Sequence, residues 1–107
     1  MFNLKVKNVS AEEAYKLIND NKEIVILDVR TKEEYDNGHI QGAKLIPAQV
    51  LQIKLSELDE YKDKPVLVYC ASGGRSPRAV NALAKGGFTN IYHMSKGISS
   101  WRYNVTR

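Results

Sequence analysis

Two short, uninterrupted apolar runs stand out along the chain: EIVILDV at residues 23–29 and KPVLVYC at residues 64–70. Both runs are rich in β-branched residues, which is typical of parallel strands that are buried on both faces. Three shorter apolar segments, at residues 3–6, 43–47 and 90–94, predict further strands, the first of them at a sheet edge. The pattern therefore predicts a sheet of about five strands.

Helix signals separate these strands. Ser10 opens the segment SAEEAYKLIND, and Glu13 follows three residues later, which is the pattern of a capping box. Thr31 and Glu34 repeat the pattern before a second, shorter helical segment. Each box predicts that a helix begins at the residue after the Ser or Thr.

The second half of the chain continues the alternation. Residues 49–58 predict a helix, with a strand left as the alternative, and its apolar positions fall near one face, at Val50, Ile53 and Leu58. Residues 76–87 predict a helix that ends at two glycines, and residues 98–103 predict a short terminal helix. Strands that alternate with helices imply βαβ crossovers, so we predict an α/β fold with a mostly parallel sheet covered on both faces.

Length and charge narrow the class of protein. The 107 residues suit one domain over residues 1–107. The net charge is +4, but the Lys and Arg residues form no long block, so we expect no nucleic-acid partner. No apolar run approaches the ~18 residues of a membrane span, and residues 1–10 lack the apolar core of a signal peptide. We therefore expect a cytoplasmic protein that does not bind membranes.

The single cysteine, Cys70, lies at the carboxyl end of the second long apolar run. Ligands in open α/β sheets bind beyond such strand ends. Gly73 and Gly74 permit positive φ, so that backbone N–H groups can turn inward and hold an anion. Ser76 is predicted as the N-cap of the next helix, and Pro77 suits its first position.

The surroundings of this thiol predict that it is reactive. The positive end of the following helix and the charge of Arg75 both favour a thiolate, which is the nucleophilic form of cysteine. The alternative is a buried structural cysteine, but such a residue gains nothing from a glycine-rich loop with an adjacent arginine. Two chemistries use a cysteine in such a loop, attack on phosphate and acceptance of sulfur. Only four residues separate Cys70 from Arg75, which favours the smaller sulfur atom.

Three segments resemble signatures of the rhodanese family of sulfurtransferases. CASGGRS, at residues 70–76, is similar to the family's active-site loop. LDVRTKEEYDNGHIQGAKLIP, at residues 27–47, and GFTNIYHMSKGISSWRY, at residues 87–103, resemble its first and last signatures. The three occur in the family's order and cover nearly the whole chain. The resemblance implies a three-layer α/β/α fold, and phosphatase relatives on that fold carry one more loop residue.

The resemblance also implies a mechanism. The Cys70 thiolate would attack the outer sulfur of a small anionic donor such as thiosulfate, and the resulting persulfide would pass its sulfur to a thiol or cyanide. No cofactor and no metal are needed. Because Cys70 is the only cysteine, the acceptor thiol must come from another molecule, which includes a possible protein partner in a sulfur relay. The residues expected to bind the substrate and the persulfide are those of the loop: Ala71, Ser72, Gly73, Gly74, Arg75 and Ser76.

Two departures from the family pattern bear on the substrate. The family often has a basic residue where this chain has Ala71, which weakens thiosulfate binding but leaves persulfide formation intact. It usually has a second glycine where this chain has Lys96, which either faces the pocket and attracts anions or is a solvated loop residue. Asp28 and Arg30 are possible supporting residues, interpreted mainly as a structural pair.

Other functions and other residues stay open at this point. A phosphatase or arsenate reductase on the same fold is the alternative enzyme, and a sulfur-carrier or binding module that works with a protein partner is the alternative non-enzyme. His39 lies in a Gly-His-Ile segment that is structural in the family, and His93 lies in a predicted strand with no partner visible in the sequence. Neither histidine has a metal-ligand spacing with Cys70.

Overall fold

The two long apolar runs form the centre of a parallel sheet in the computed structural model, which describes residues 5–107. Strands β2 (Val25–Asp28) and β4 (Val66–Tyr69) pair directly, and every residue of both is buried. β1 (Val6–Val9) and β3 (Lys44–Leu45) lie at the two edges, and β5 (Ile91–Met94) lies between β1 and β4. The order is β1-β5-β4-β2-β3, with every pairing parallel, which confirms the predicted fold class.

The first strand is displaced from its predicted position. An edge strand was expected over residues 3–6, whereas β1 runs from Val6 to Val9. Residues 3 and 4 lie outside the described part of the chain. The edge location itself is confirmed, because β1 pairs only with β5 in the described sheet.

Four α-helices flank the sheet: α1 (Ala11–Asp20), α2 (Lys32–Asp36), α3 (Ala48–Lys54) and α4 (Ser76–Lys85). Both predicted capping boxes are formed. At the start of α1, the Glu13 N–H donates to the Ser10 hydroxyl over 3.1 Å, and the Ser10 N–H donates to the Glu13 carboxylate over 2.8 Å. These bonds satisfy backbone donors that the first helical turn leaves unpaired.

Two apolar layers attach the helices to the sheet. On one face, α3 and α4 pack on β2, β4 and β5, with a core that includes Leu27, Leu51, Val68 and Leu83. On the other face, Ala14 of α1 and the segment between α2 and β3 pack on the same strands. Each fully buried aliphatic side chain contributes about 1.5–3 kcal/mol to folding, so the central strands carry much of the stability. The result is a three-layer α/β/α arrangement.

The predicted apolar face of residues 49–58 is wrong at one position. Ile53 was predicted on the same face as Val50 and Leu58, which do pack on the core, but it is 82% exposed. Leu51, which was not predicted on that face, is fully buried. The helix also ends at Lys54 and continues as a 3₁₀-helix over Leu55–Tyr61. The residues that actually face the sheet recur every three to four positions, as a helical core face requires: Ala48, Leu51, Leu55 and Leu58.

The short terminal helix predicted over residues 98–103 is present only in its first half. A single 3₁₀ turn spans Ile98–Ser100, and the backbone is extended at Trp101. The indole packs edge-to-face against Tyr15 of α1 and Tyr103, and these aromatic contacts hold the segment against α1. Among residues 5–107, no helix is both long enough and apolar enough to cross a membrane.

Candidate active site

The thiol of Cys70 lies where the central strand ends. β4 ends at Tyr69, Cys70 is fully buried, and α4 begins at Ser76. The five residues between them form the active-site loop, defined here as residues 71–75. This loop folds back over the sulfur, which is the position that parallel α/β sheets use for ligands.

Two backbone N–H groups donate to Cys70 Sγ, from Gly73 over 3.1 Å and from Ser76 over 3.3 Å. The thiol in turn donates to Ser76 Oγ over 3.3 Å. Burial by itself would raise the pKa of the Cys70 thiol, but the donors from Ser76, Arg75 and Gly73 outweigh burial and the pKa is lowered. The site therefore favours a thiolate, the nucleophilic form.

Only one of the two loop glycines is required by the geometry. Gly73 has a φ of 101°, and a Cβ there would overlap the carbonyl oxygen of Ser95. Gly74 lacks a positive φ, and a Cβ there would meet open space. The predicted inward turn thus rests on Gly73, whose N–H reaches the sulfur.

Ser76 does not cap α4 as predicted. The N-cap is Arg75, no side chain caps this helix end, and Ser76 is the first helical residue. Its hydroxyl points inward instead, where it lies 3.3 Å from Cys70 Sγ and 2.6 Å from His93 Nε2. The serine is therefore part of the site and not a local helix signal.

The segment that follows β5 holds the active-site loop in place through backbone hydrogen bonds. The Ile98 N–H donates to the Cys70 carbonyl and the Ser99 N–H to the Ala71 carbonyl, both over 2.9 Å. Gly97, with a φ of 70°, allows this approach, because a Cβ there would overlap the Ala71 carbonyl. Lys96 is exposed in this segment, which fits the solvated interpretation of its side chain.

Arg75 does not present a free charge to the site. Its guanidinium forms two bonds with the Glu34 carboxylate, of 2.7 and 2.9 Å. Arg75 holds the pKa of Glu34 down at about 2. The charge of Arg75 still interacts with Cys70, as expected, but it is shared with an acid from α2.

Asp28 and Arg30 form the predicted pair beneath the site. The Arg30 guanidinium donates to both Asp28 oxygens, at 2.7 to 3.1 Å, and both residues are buried. The Tyr69 hydroxyl, which sequence reasoning missed, also donates to Asp28 over 2.7 Å and accepts from the Ile40 N–H. Among the described residues, no buried side-chain nitrogen or oxygen lacks a partner, which fits a structural role for this cluster at the end of β4.

His93 is a further site residue that the sequence did not reveal. It is 7% exposed on β5, and its Nδ1 lies 3.2 Å from Asn8 Oδ1. Burial lowers the pKa of His93, so the imidazole is neutral near pH 7. His39, by contrast, stacks on Tyr35 and bonds to the Tyr35 carbonyl, away from the contacts of the thiol.

A wide cavity of about 890 Å³ opens beside the loop. Its walls come from β1, α4, β5 and the active-site loop, and include Asn8, Gly73, Arg78, His93 and Ser95. Within residues 5–107, no group of three or more His, Cys, Asp or Glu side chains is placed to hold a metal ion.

Comparison with known sequences gives a single family. A family model described as a rhodanese-like domain matches residues 10–104. The thiosulfate sulfurtransferase GlpE of Coxiella burnetii is 35% identical over 101 residues, covering 90% of this chain and 87% of its own. YibN of Escherichia coli K12, an uncharacterized protein, is 36% identical over 98 residues, covering 91% of this chain and 68% of its own.

Solved structures give the same architecture. A rhodanese-related protein from Thermoplasma volcanium superposes with a TM-score of 0.81 at 33% identity, covering 94% of this chain and 97% of its own. A Rhodopseudomonas palustris protein described as a possible tyrosine phosphatase has a TM-score of 0.80 at 24% identity, covering 91% and 80%. This second likeness concerns the fold alone.

Proposed function

The chain belongs to the rhodanese family, and from this premise we propose that it is a sulfurtransferase in which Cys70 carries the transferred sulfur. The observation that carries the proposal is the convergence of the Gly73 and Ser76 backbone N–H groups on a buried sulfur. Such donors stabilise a thiolate before any substrate binds. Relatives named sulfurtransferase and thiosulfate sulfurtransferase support the same reaction class.

The proposed reaction proceeds in two balanced steps. The Cys70 thiolate attacks the outer sulfur of thiosulfate, a new S–S bond forms, and the S–S bond of thiosulfate breaks as sulfite leaves with the electron pair. The product is a Cys70 persulfide anion. A thiolate or cyanide acceptor then attacks the outer sulfur, and the Cys70 thiolate leaves and is ready for another cycle.

The active-site loop suits the persulfide better than a phosphoryl group. Only four residues lie between Cys70 and Arg75, and the N–H of one of them, Gly73, already contacts the sulfur. A transferred phosphoryl group needs donors around three equatorial oxygens. The outer sulfur of the persulfide would be stabilised by the backbone N–H groups of the loop and by the N-terminal end of α4.

A second candidate function, a sulfur carrier that is loaded by a protein persulfide, is favoured by one observation. The cation of the loop, Arg75, is already paired with Glu34, and Ala71 supplies no charge. A small dianion such as thiosulfate therefore gains little from the loop side chains. A donor that is bound by its own protein surface would not need them.

Mass spectrometry of the intact protein separates these functions. After incubation with thiosulfate, we expect the wild type to gain one sulfur atom that cyanide removes, and the Cys70→Ser variant to gain none. Loading by a protein persulfide but not by thiosulfate would favour the carrier. No sulfur gained from either donor would reject both proposals, and hydrolysis of an aryl phosphate or reduction of arsenate would then be assayed.

A further inference from the structure

A chain of three hydrogen-bonded side chains leads away from the nucleophile. Cys70 Sγ lies 3.3 Å from Ser76 Oγ, Ser76 Oγ lies 2.6 Å from His93 Nε2, and His93 Nδ1 lies 3.2 Å from Asn8 Oδ1. The residues come from the end of β4, from α4, from β5 and from β1. Asn8 and His93 are directly opposite each other in the parallel pairing of β1 with β5.

The amide oxygen of Asn8 fixes the direction of the hydrogen bonds in this series of side chains. An amide oxygen only accepts, so His93 must carry its proton on Nδ1 in order to bond to Asn8. Nε2 of the neutral ring is then a lone-pair acceptor, and the Ser76 hydroxyl donates to it. The Ser76 oxygen is left to accept the S–H proton of Cys70.

We propose that His93 is a positioning residue that receives the thiol proton of Cys70 through Ser76. The S–H bond breaks as an O–H bond forms at Ser76, and the original Ser76 O–H bond breaks as an N–H bond forms at His93 Nε2. No electrons are exchanged between residues, and Ser76 remains a neutral hydroxyl. Afterwards Ser76 donates to the thiolate, and the imidazolium donates to Ser76.

Burial explains why such a relay is useful. Cys70 has no exposed surface, so its thiol proton cannot pass directly to water. His93 and the exposed Asn8 both line the open cavity of about 890 Å³ beside the loop. The relay therefore connects the enclosed sulfur to this open cavity without opening the active-site loop.

The charges around His93 agree with a transient imidazolium. Burial keeps the ring neutral until it receives the proton, and the Cys70 thiolate then provides the opposite charge. Arg78 of α4 lines the same cavity as His93, and its positive charge favours release of the proton from the imidazolium. Lys7 of β1 does not line that cavity, because it lies with Tyr92 in a cavity on the other face of the sheet. Asn8 of β1 and Val68, the β4 partner of His93, are uncharged.

The rate of Cys70 alkylation by iodoacetamide, measured against pH, tests this inference. His93→Gln keeps an acceptor for Ser76 but cannot take a proton, so we expect a higher kinetic pKa and alkylation about tenfold slower below it, the effect of one pKa unit. In a Ser76→Ala background, the same substitution is expected to have no further effect. His39→Gln is the matched control, a buried histidine outside the chain, with no change expected.

Two results would overturn the relay: an unchanged pH profile in His93→Gln, or an equal effect of that substitution with and without Ser76. If His93→Gln does not fold, the ¹⁵N spectrum of His93 in the wild type decides. The relay requires the Nδ1–H tautomer, which Asn8→Ala, a change at an exposed residue, should deplete. An Nε2–H tautomer in the wild type would contradict it.

The inference rests on the proposed role of Cys70 as the nucleophile, but its test uses no sulfur donor. A protein that accepts no sulfur yet shows the shifted alkylation profile would retain the relay and lose the sulfurtransferase function. A protein that forms the persulfide with an unshifted profile would show the reverse.

Discussion

Arg75 and Glu34 form a two-bonded ion pair that ties the active-site loop to the start of α2. The bonds of 2.7 and 2.9 Å connect residues that are 41 positions apart in the chain. The pair is partly exposed, with 40% of the Arg75 side chain and 32% of the Glu34 side chain accessible. It therefore fixes the geometry of the loop more than it stabilises the fold.

Replacing each member of this pair shows whether Arg75 binds the sulfur donor or only positions the active-site loop. We expect Arg75→Ala to lower the rate of persulfide formation from thiosulfate about tenfold, while the free energy of unfolding falls by no more than about 1 kcal/mol. Glu34→Gln leaves the guanidinium charge free. If Arg75 only positions the loop, both variants lose activity alike; if it binds the donor, Glu34→Gln retains or gains activity. Initial rates and urea unfolding measure the two effects.

The ion pair between Arg75 and Glu34 makes the free energy of unfolding depend on pH in the acid range. Because the pKa of Glu34 is lowered to about 2 in the folded protein, its contribution is complete above its unfolded value near 4.5 and is lost as the pH falls towards 2. We expect the difference in unfolding free energy between the wild type and Arg75→Ala to shrink over that range. Urea unfolding at pH 6, 4 and about 2.5 provides the comparison. A difference that stays constant with pH would show that the pair is not formed in solution.

The two glycines of the active-site loop offer a matched test of whether the Gly73 N–H stabilises the Cys70 thiolate. Gly73→Ala places a methyl group against the Ser95 carbonyl at a φ of 101°, so the N–H that reaches the sulfur must move. We expect a raised kinetic pKa of Cys70 and a stability loss of about 1–3 kcal/mol. Gly74→Ala meets open space and should change neither quantity by much. Equal effects of the two substitutions would contradict the assigned role of Gly73.

Sequence patterns predicted those features whose determinants are local. The capping boxes at Ser10 and Thr31 need only four consecutive residues, and apolar runs are enough to predict the buried strands. Ile53 was misplaced because it is apolar but faces solvent, and composition alone does not show which side a short helix turns to the core.

The interior of the site was predicted only where it follows directly along the chain. Cys70 and its loop could be found because the nucleophile, the glycines and the helix start lie within seven residues, 70–76. Asn8 and His93 are 85 positions apart and meet only because β1 pairs beside β5. A crossover order of this kind is a property of the whole sheet, and no local pattern records it.

Asp28 provides the clearest separation of structure from chemistry. Asp28→Asn leaves the buried Arg30 without a matching charge, so we expect a loss of about 3–5 kcal/mol in the free energy of unfolding. The carboxylate contacts Arg30 and Tyr69 and makes no bond to the Cys70 thiol. The pH profile of Cys70 alkylation in the folded variant should therefore match that of the wild type. Normal stability with a shifted profile would instead place Asp28 in the chemistry, whereas the expected result would assign it to holding the end of β4, from which the thiol is presented.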